Sequence, residues 1–462
     1  MKSIISILMV LVIAATARAA APKATYTFQS QRKPGQTDRV TVLLEVGGET
    51  KFTDDGKPQR EKMSVLCNLD YHEKTLDVPD NRDGTWRSVR DYTKAAGVVK
   101  VGGDEFKPTL RTDRHLICAE AVGQTTRLSS PLGKLLRTEL EVIDVQANSL
   151  LLDRLLPEKP VAIGDTWKHS GELLAAMLGL DEVAKTDVQS RLKEATDTLA
   201  RFEIEGKVEG AIHGVATKIE IKGKYRFDLR RNRVDWLGLL VKEDRQGSFV
   251  ADGVDAVSRL QMTLNAAMEP ESLAEAALAK LPLKSTPEVE MLTYESPGGW
   301  QFNHDRRWYV YRDQHDVAVL RLLDRGTLTA QCNVSSLPQR APDKLVSLEE
   351  FQADVRKALG KSFGEFVEAG QSVDDAKHRV LRVAVEGKAS DIPIRWIYYH
   401  VADEQGRQTA FTFTVEKSLL ERFAATDKPL VESLRFVEPK EKETEKKNYE
   451  DSEGTKKNGK EE

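Results

Sequence analysis

Cysteine is scarce, with three residues in 462, at Cys67, Cys118 and Cys332. That excludes a scaffold built on disulfides and a four-cysteine zinc cage. The three sit in apolar, strand-like runs: Cys67 in SVLCNL, Cys118 in HLICAE and Cys332 in LTAQCNV. Each reads as a small buried hydrophobe. In an oxidising compartment Cys67 and Cys118 could instead pair, leaving Cys332 over, and spacing does not choose between the two. No signature of a catalytic thiol surrounds any of them.

A surplus of one charge is also missing. Lys and Arg total 69 against 73 Asp and Glu, a formal net charge of −4, which excludes the basic balance expected of a nucleic-acid binder. After the first twenty residues no stretch approaches the roughly 18 apolar residues of a membrane-spanning helix. The common catalytic signatures are absent too. There is no G-x-S-x-G elbow, no phosphate-binding G-x-x-x-x-G-K-[ST] and no H-E-x-x-H, since His72-Glu73 lacks the second histidine one turn later. An S-x-x-K serine would need Ser-Asp-Asn and Lys-Thr-Gly partners, and neither occurs. Asp54-Asp55-Gly56 and Asp80-Asn81-Arg82-Asp83-Gly84 lack the alternating oxygen ligands and distal glutamate of a calcium loop and read as turns. No catalytic residue, metal ligand or cofactor site is assigned, and the expectation is a protein that is not an enzyme.

What is present is a hydrophobic fraction of 40% beside 31% charged residues, enough for packed cores in two or three domains. Residues 1–19 combine Lys2, an apolar run from Ile4 to Ala15 and Ala17-Arg18-Ala19 as a small-x-small cleavage site. This is the pattern of a secretory signal peptide, its apolar run too short to span a bilayer. Cleavage after Ala19 removes Lys2 and Arg18 and takes the charge from −4 to −6. The expectation is an exported protein, periplasmic or extracellular.

From 20 to 268 the signal is alternation broken by glycine turns. Phe202, Ile204 and Val208 alternate with Glu203, Glu205 and Glu209. Ile219, Ile221, Tyr225, Phe227 and Leu229 continue the pattern, and Val254, Ala256, Leu260, Met262 and Leu264 share one face. Such segments predict an antiparallel sheet with one wet face. Asp55-Gly56 and Asp83-Gly84 are hairpin signals. A helical insertion is expected between Gly171 and Ala200, and Arg230-Arg231-Asn232-Arg233 reads as a solvated hairpin tip. Residues 269–293, polar and broken by Pro282 and Pro287, read as a linker.

A second, α+β domain is expected over 294–437. Its pattern is a hairpin at Trp308–Tyr311 and Val317–Leu320, a strand at Leu328–Val334, and a capping box at Ser347-Leu348-Glu349-Glu350. Behind the box runs a helical stripe of Leu348, Phe351, Val355 and Leu359. Strands at His378–Val385, Ile394–Val401 and Thr409–Val415 and short terminal helices follow. The tail 438–462, nearly all Lys, Glu, Asp and Asn, reads as a disordered solvated segment. His304-Asp305-Arg306-Arg307 and Asp313-Gln314-His315-Asp316 are the densest polar cluster. A strand separates the two groups by more than ~10 Å, so they read as hairpin loops rather than one metal site.

Two resemblances follow from these residues. Gly298-Gly299-Trp300-Gln301-Phe302, the Ser347–Leu359 helix, the strands Ile394–Tyr399 and Phe411–Thr414, and the closing Phe423, Leu430, Ser433, Leu434 and Phe436 resemble the PsbP-like fold. That family implies binding or assembly roles without catalysis. Lys159-Pro160-Val161-Ala162-Ile163-Gly164-Asp165-Thr166-Trp167 is similar to a segment of an uncharacterised family of exported bacterial β-rich proteins. A curved sheet of this kind is also similar in architecture to the half-barrels of LolA-like periplasmic lipid carriers. Together they imply a non-catalytic binding or assembly protein of the bacterial envelope. It would carry an apolar small molecule or dock an envelope protein, with its ligand-binding residues and oligomeric state unassigned. The alternatives are a structural envelope component, or a hydrolase whose site would need His169, Asp165 and Glu172 to converge.

Overall fold

The computed structural model describes residues 24–54, 57–81, 84–247, 252–314, 317–324, 326–341 and 344–438. The signal segment 1–19, nearly all of the charged tail, Asp55-Gly56, Asp83, His315 and Asp316 lie outside them.

Period-two alternation produces long strands: β1 (Thr37–Asp54), β2 (Lys57–Asp77), β3 (Trp86–Val101), β4 (Leu116–Val122), β5 (Thr125–Ser129), β6 (Gln189–Ala195), β7 (Leu199–Ile212), β8 (Val215–Asp228), β9 (Arg233–Arg245) and β10 (Gly253–Ala266). They form the order β6-β7-β8-β9-β10-β1-β2-β3-β4-β5 within one 13-stranded antiparallel sheet, which Glu182–Thr186 joins beside β7 and Asp104–Phe106 beside β3. Thr166–Lys168 adds a strand beside β6, and the two outer strands do not pair with each other. The sheet is therefore open, not a closed barrel. In the middle of β1 a Cβ on Gly48 would lie 2.3 Å from the Asp255 carbonyl oxygen, so glycine lets β1 and β10 approach this closely.

One face of this sheet is covered by helical segments drawn from its own connections. These are α1 (Arg137–Ile143), a 3-10 stretch at Ser149–Leu155 in which all seven residues are buried, and α2 (Gly171–Leu178). Ser170 Oγ accepts a hydrogen bond from the Leu173 amide at 3.2 Å to start α2, and Gly179, at φ +69°, ends it. The helical insertion expected over 171–200 thus stops at Leu178. Leu192 and Leu199 belong to β6 and β7, where buried and exposed residues alternate with period two. Leucines spaced among charges fit a helical period as readily as a strand period, and here the strand pairing decides.

The remaining strands are β11 (Leu292–Ser296), β12 (Trp300–His304), β13 (Trp308–Gln314), β14 (Val317–Asp324), β15 (Thr327–Leu337), β16 (Phe363–Val373), β17 (Arg379–Ala389), β18 (Ile392–Ala402) and β19 (Gln408–Glu416). Seven of them form an antiparallel sheet, β13-β14-β15-β19-β18-β17-β16, against which α3 (Leu348–Leu359) packs through Val355, Phe351 and Leu359. The capping box is in place: Ser347 Oγ accepts from the Glu350 amide at 3.1 Å, and Glu350 Oε2 accepts from the Ser347 amide at 2.8 Å.

The two large apolar cores are distinct, yet their regions are sewn together. Leu135–Leu136 runs parallel to β11, within a four-stranded sheet that also holds β12 and Arg435–Phe436. Residues 269–293, expected as a polar linker, are packed down. Leu273 and Leu278 are buried against Val89 and Leu116, and Lys74 pairs with Glu269 at 2.8 Å. No helix among the described residues is long and apolar enough to cross a membrane.

Candidate functional site

The inward positions of the large sheet fall in register across five strands. One row reads Leu237, Met262, Val42, Leu69 and Ala95; the next Leu239, Leu260, Leu44, Cys67 and Gly97; the next Val241, Ser258, Val46, Val65 and Val99. In the first row every residue is buried, packed against the covering helices. In the third row Val46, Val65 and Val99 are only half-buried, although they point into the concave face. The helical cover runs out before the sheet does.

The space left is a cavity of about 580 Å3. Its walls are Leu44, Val46, Met63, Val65, Val99 and Val241, and its floor is the end of α1 and the turn after it, Val142, Val145 and Gln146. Phe106, 55% exposed, stands among the lining residues. The floor is fixed in place. Cys67 Sγ donates to the Val142 carbonyl at 3.3 Å and Ser258 Oγ donates to Gln146 Oε1 at 3.1 Å. At the start of α1, Glu139 accepts from the Leu136 amide at 2.8 Å and from Arg111 at 2.6 and 2.9 Å.

Four charged side chains interrupt the apolar lining. Glu243 and Arg245 take the inward positions that follow Val241 on β9, with Arg245 Nε 3.5 Å from Glu243 Oε1. Glu141 and Asp144 lie three residues apart at the end of α1. Both side chains are exposed where they line the cavity, and the protein packed around them desolvates them only in part, which raises both carboxyls above their ordinary range. Arg137 opposes this at Glu141, and Arg306 and Arg90 oppose it at Asp144. Burial likewise raises Glu243, against the pull of Arg245. Sequence reasoning missed all four. The available signal was charge at inward parity: Glu243 and Arg245 continue the apolar 237, 239, 241 series, which should have marked that end of the face as unfilled.

The residues singled out for hydrolysis do not converge. His169 Nε2 lies 2.7 Å from Ser190 Oγ, and Ser190 is fully buried. Asp165 Oδ2 instead accepts from the Ala162 amide at 2.8 Å, holding its own bend, and Glu172 sits in the first turn of α2. Gly164, at φ +98°, makes that bend, while Trp167 donates to the Leu155 carbonyl at 2.9 Å and meets Phe202 edge-on.

All three cysteines are unbonded and buried, and burial pushes Cys67 up to about 11 and Cys118 to about 12, so neither offers a thiolate. His304 is buried with Nδ1 2.9 Å from the Asp305 carbonyl, and Asp313 accepts from Tyr294 at 2.7 Å. Among the described residues no group of His, Cys, Asp and Glu is arranged to hold a metal. The supposed solvated tip is partly internal: Arg233 is buried and shares the buried Asp38 with Arg231, because the tip folds back onto the start of β1.

No family model matches the chain, and no curated protein matches it in sequence. Among solved structures, the chain is similar to the cyanobacterial PsbP of Synechocystis sp. PCC 6803. That likeness has 16% identity and a TM-score of 0.25, over 34% of this chain and 99% of that one. It is also similar to the outer membrane protein OprD of Pseudomonas aeruginosa, at 8% identity and a TM-score of 0.13, over 85% of this chain and 96% of that one. Scores this low decide nothing about activity.

Proposed function

We propose that the chain is an exported, non-catalytic carrier that holds an apolar ligand on the concave face of its large sheet. The observation that carries the reading is the 580 Å3 cavity, whose apolar wall residues stay half-exposed although they point inward. An apolar guest there would take valine, leucine and methionine surface out of contact with water. Its size lies within the ~300–1,000 Å3 usual for small-molecule sites. An open antiparallel sheet with helices on its hollow side is also the architecture of LolA-like carriers, an analogy of form only. Export rests on the pattern of residues 1–19. The PsbP-like reading of 294–437, and with it the two-domain division, rests on the order of hairpin, capped helix and long strands.

Docking of an envelope protein fits a different place. β16 is the edge of the seven-stranded sheet, is exposed along nearly its whole length, and shows Val367 and Val373 to solvent. Its unpaired edge could take an added strand.

Native mass spectrometry with organic extraction, on protein recovered from its own cell envelope, tests the carrier. A co-purifying apolar molecule supports it. A clean protein that also fails to bind the neutral dye Nile red overturns it.

A further inference from the structure

The outer face of the large sheet, turned away from the apolar cavity, carries a second hollow of about 540 Å3 across β6, β7, β8 and β9. We infer that this hollow binds an acidic saccharide, with a sugar ring stacked on Trp236 and a ring carboxylate held by Lys224. The inference goes beyond the carrier reading and does not rest on it.

Phe202, Tyr225 and Leu237 are buried on the inner face, so Arg201, Arg226 and Trp236, one step along their strands and in register, stand side by side on the outer one. Glu203, Lys224 and Gly238 form the next row. A Cβ on Gly238 would lie 2.6 Å from Trp236 Cη2 and 3.0 Å from its Cζ2, so the indole takes the place a side chain there would fill and lies along β9. The ring is half-buried, and among the described residues neither a ring nor a guanidinium stacks on it and nothing bonds its Nε1. Two β-bulges flank it. Lys193 is the extra residue of β6 against β7, and Asp235 that of β9 against β8. Bulges re-aim side chains and recur beside binding sites.

The charges around the ring are matched, with one exception. Lys193 lies 3.1 Å from Glu203, Arg201 pairs with Glu194, and Arg226 donates to Asp235 at 2.8 and 3.0 Å. Lys224, exposed, makes no hydrogen bond or ion pair with any described residue. The hollow therefore offers one open aromatic surface, one unmatched cation and a rim of both donors and acceptors. An apolar guest would cover a single ring and desolvate the charges around it. A pyranose suits all three features. Its C–H face, slightly positive, rests on the negative face of the indole. Its hydroxyls donate to Glu194 and Glu203 and accept from Arg201 and Lys193. A carboxylate on the ring gives Lys224 a charge-assisted bond. A nucleotide would stack as well, but Glu194, Glu203 and Asp235 oppose its phosphates.

Isothermal titration calorimetry on the full chain at pH 7 tests this with three probes: α-1,4-linked trigalacturonate, the neutral α-1,4-linked maltotriose, and a three-residue oligothymidylate. Trigalacturonate should bind roughly tenfold or more tighter than maltotriose, and oligothymidylate weakest. Trp236→Ala should weaken trigalacturonate tenfold or more, and Lys224→Gln should bring it to within about threefold of maltotriose. A circular-dichroism melt checks the fold of each variant. If Trp236→Ala melts early, Trp236→Phe replaces it, and the change in tryptophan emission that trigalacturonate causes in the wild type must then be lost. No saccharide binding, equal binding of the two trisaccharides, or trigalacturonate binding undiminished in Trp236→Ala overturns the inference. Tighter binding of oligothymidylate than of trigalacturonate overturns it in favour of a nucleic-acid site.

Discussion

Glu73 Oε1 accepts hydrogen bonds from Ser88, Arg90 and Ser149 at 2.9, 2.8 and 2.8 Å, and Arg32 lies 3.8 Å from its other oxygen. Burial alone would raise this carboxyl; Arg90, Arg32 and the donated bonds outweigh it and hold it below its ordinary range. The pair is buried on both sides, so removing one partner strands the other. Glu73→Gln should cost about 3–5 kcal/mol, read by chemical denaturation, because Arg90 is left charged without its counter-ion. A cost below about 1 kcal/mol would show that water reaches the network. Asp144 is the opposite case. Its carboxyl is raised by folding, so the folded state binds its proton more tightly than the unfolded chain, and stability is withheld as pH rises through that range. Asp144→Asn should therefore raise the melting temperature at pH 7, though only slightly because the side chain is exposed and solvent screens it, and the gain should vanish as pH falls to the ordinary carboxylate value. A variant that melts lower at pH 7 would show that Asp144 has an attractive role in the empty protein. Neither residue's setting was legible in the sequence. Glu73 keeps the inward parity of Cys67, Leu69 and Tyr71 along β2, but nothing in the chain says that Arg90 and Arg32 meet it there.

At the scale of elements, period-two strands were legible and the cover over them was not. β7, β8 and β10 lie where alternation placed them, as does α3 with its Ser347 cap. Ser347→Ala should cost about 1 kcal/mol of stability, measured by thermal or urea unfolding. The edge strand β16 was missed because both of its faces are largely exposed, so no alternation marks it. The cavity was missed for a related reason. Val65 and Leu69 look alike along β2, and nothing in the chain says that helices cover one row and stop before the other. Large-side-chain substitutions separate the two rows. Val65→Trp places its ring in empty space and should change stability by less than about 1 kcal/mol while cutting Nile red binding by tenfold or more. Leu69→Trp overpacks a filled core and should cost about 1–3 kcal/mol. If Val65→Trp is as damaging as Leu69→Trp, the hollow is not open in solution.

Across the whole molecule, the seam between the two cores governs how it responds to acid. The β7–β8 and β14–β15 turns meet backbone to backbone. A Cβ on Gly214 would lie 2.0 Å from the Gly326 Cα, and both glycines have positive φ, +70° and +74°. Beside them Tyr309 Oη lies 3.0 Å from His213 Nε2, and His304 closes β12 opposite Leu292. Burial pulls His213 down and His304 down to about 4, so both are neutral in the folded seam at pH 7. The unfolded chain takes up those protons near pH 6.5, so the stability they provide is complete above that value and is lost as pH falls toward 4. Glu141, Asp144 and Glu243 work in the other direction, relieved as they take up protons, which blurs any global melting curve. The local readout is hydrogen exchange of the β11 amides, Leu292–Ser296, corrected for intrinsic rate. Their protection should fall between pH 7 and pH 5, while that of the buried β1–β10 ladder at Val40–Leu44 holds. Equal protection of β11 at the two pH values would mean that the seam's histidines stay neutral by moving with their partners, and that acid does not loosen the join.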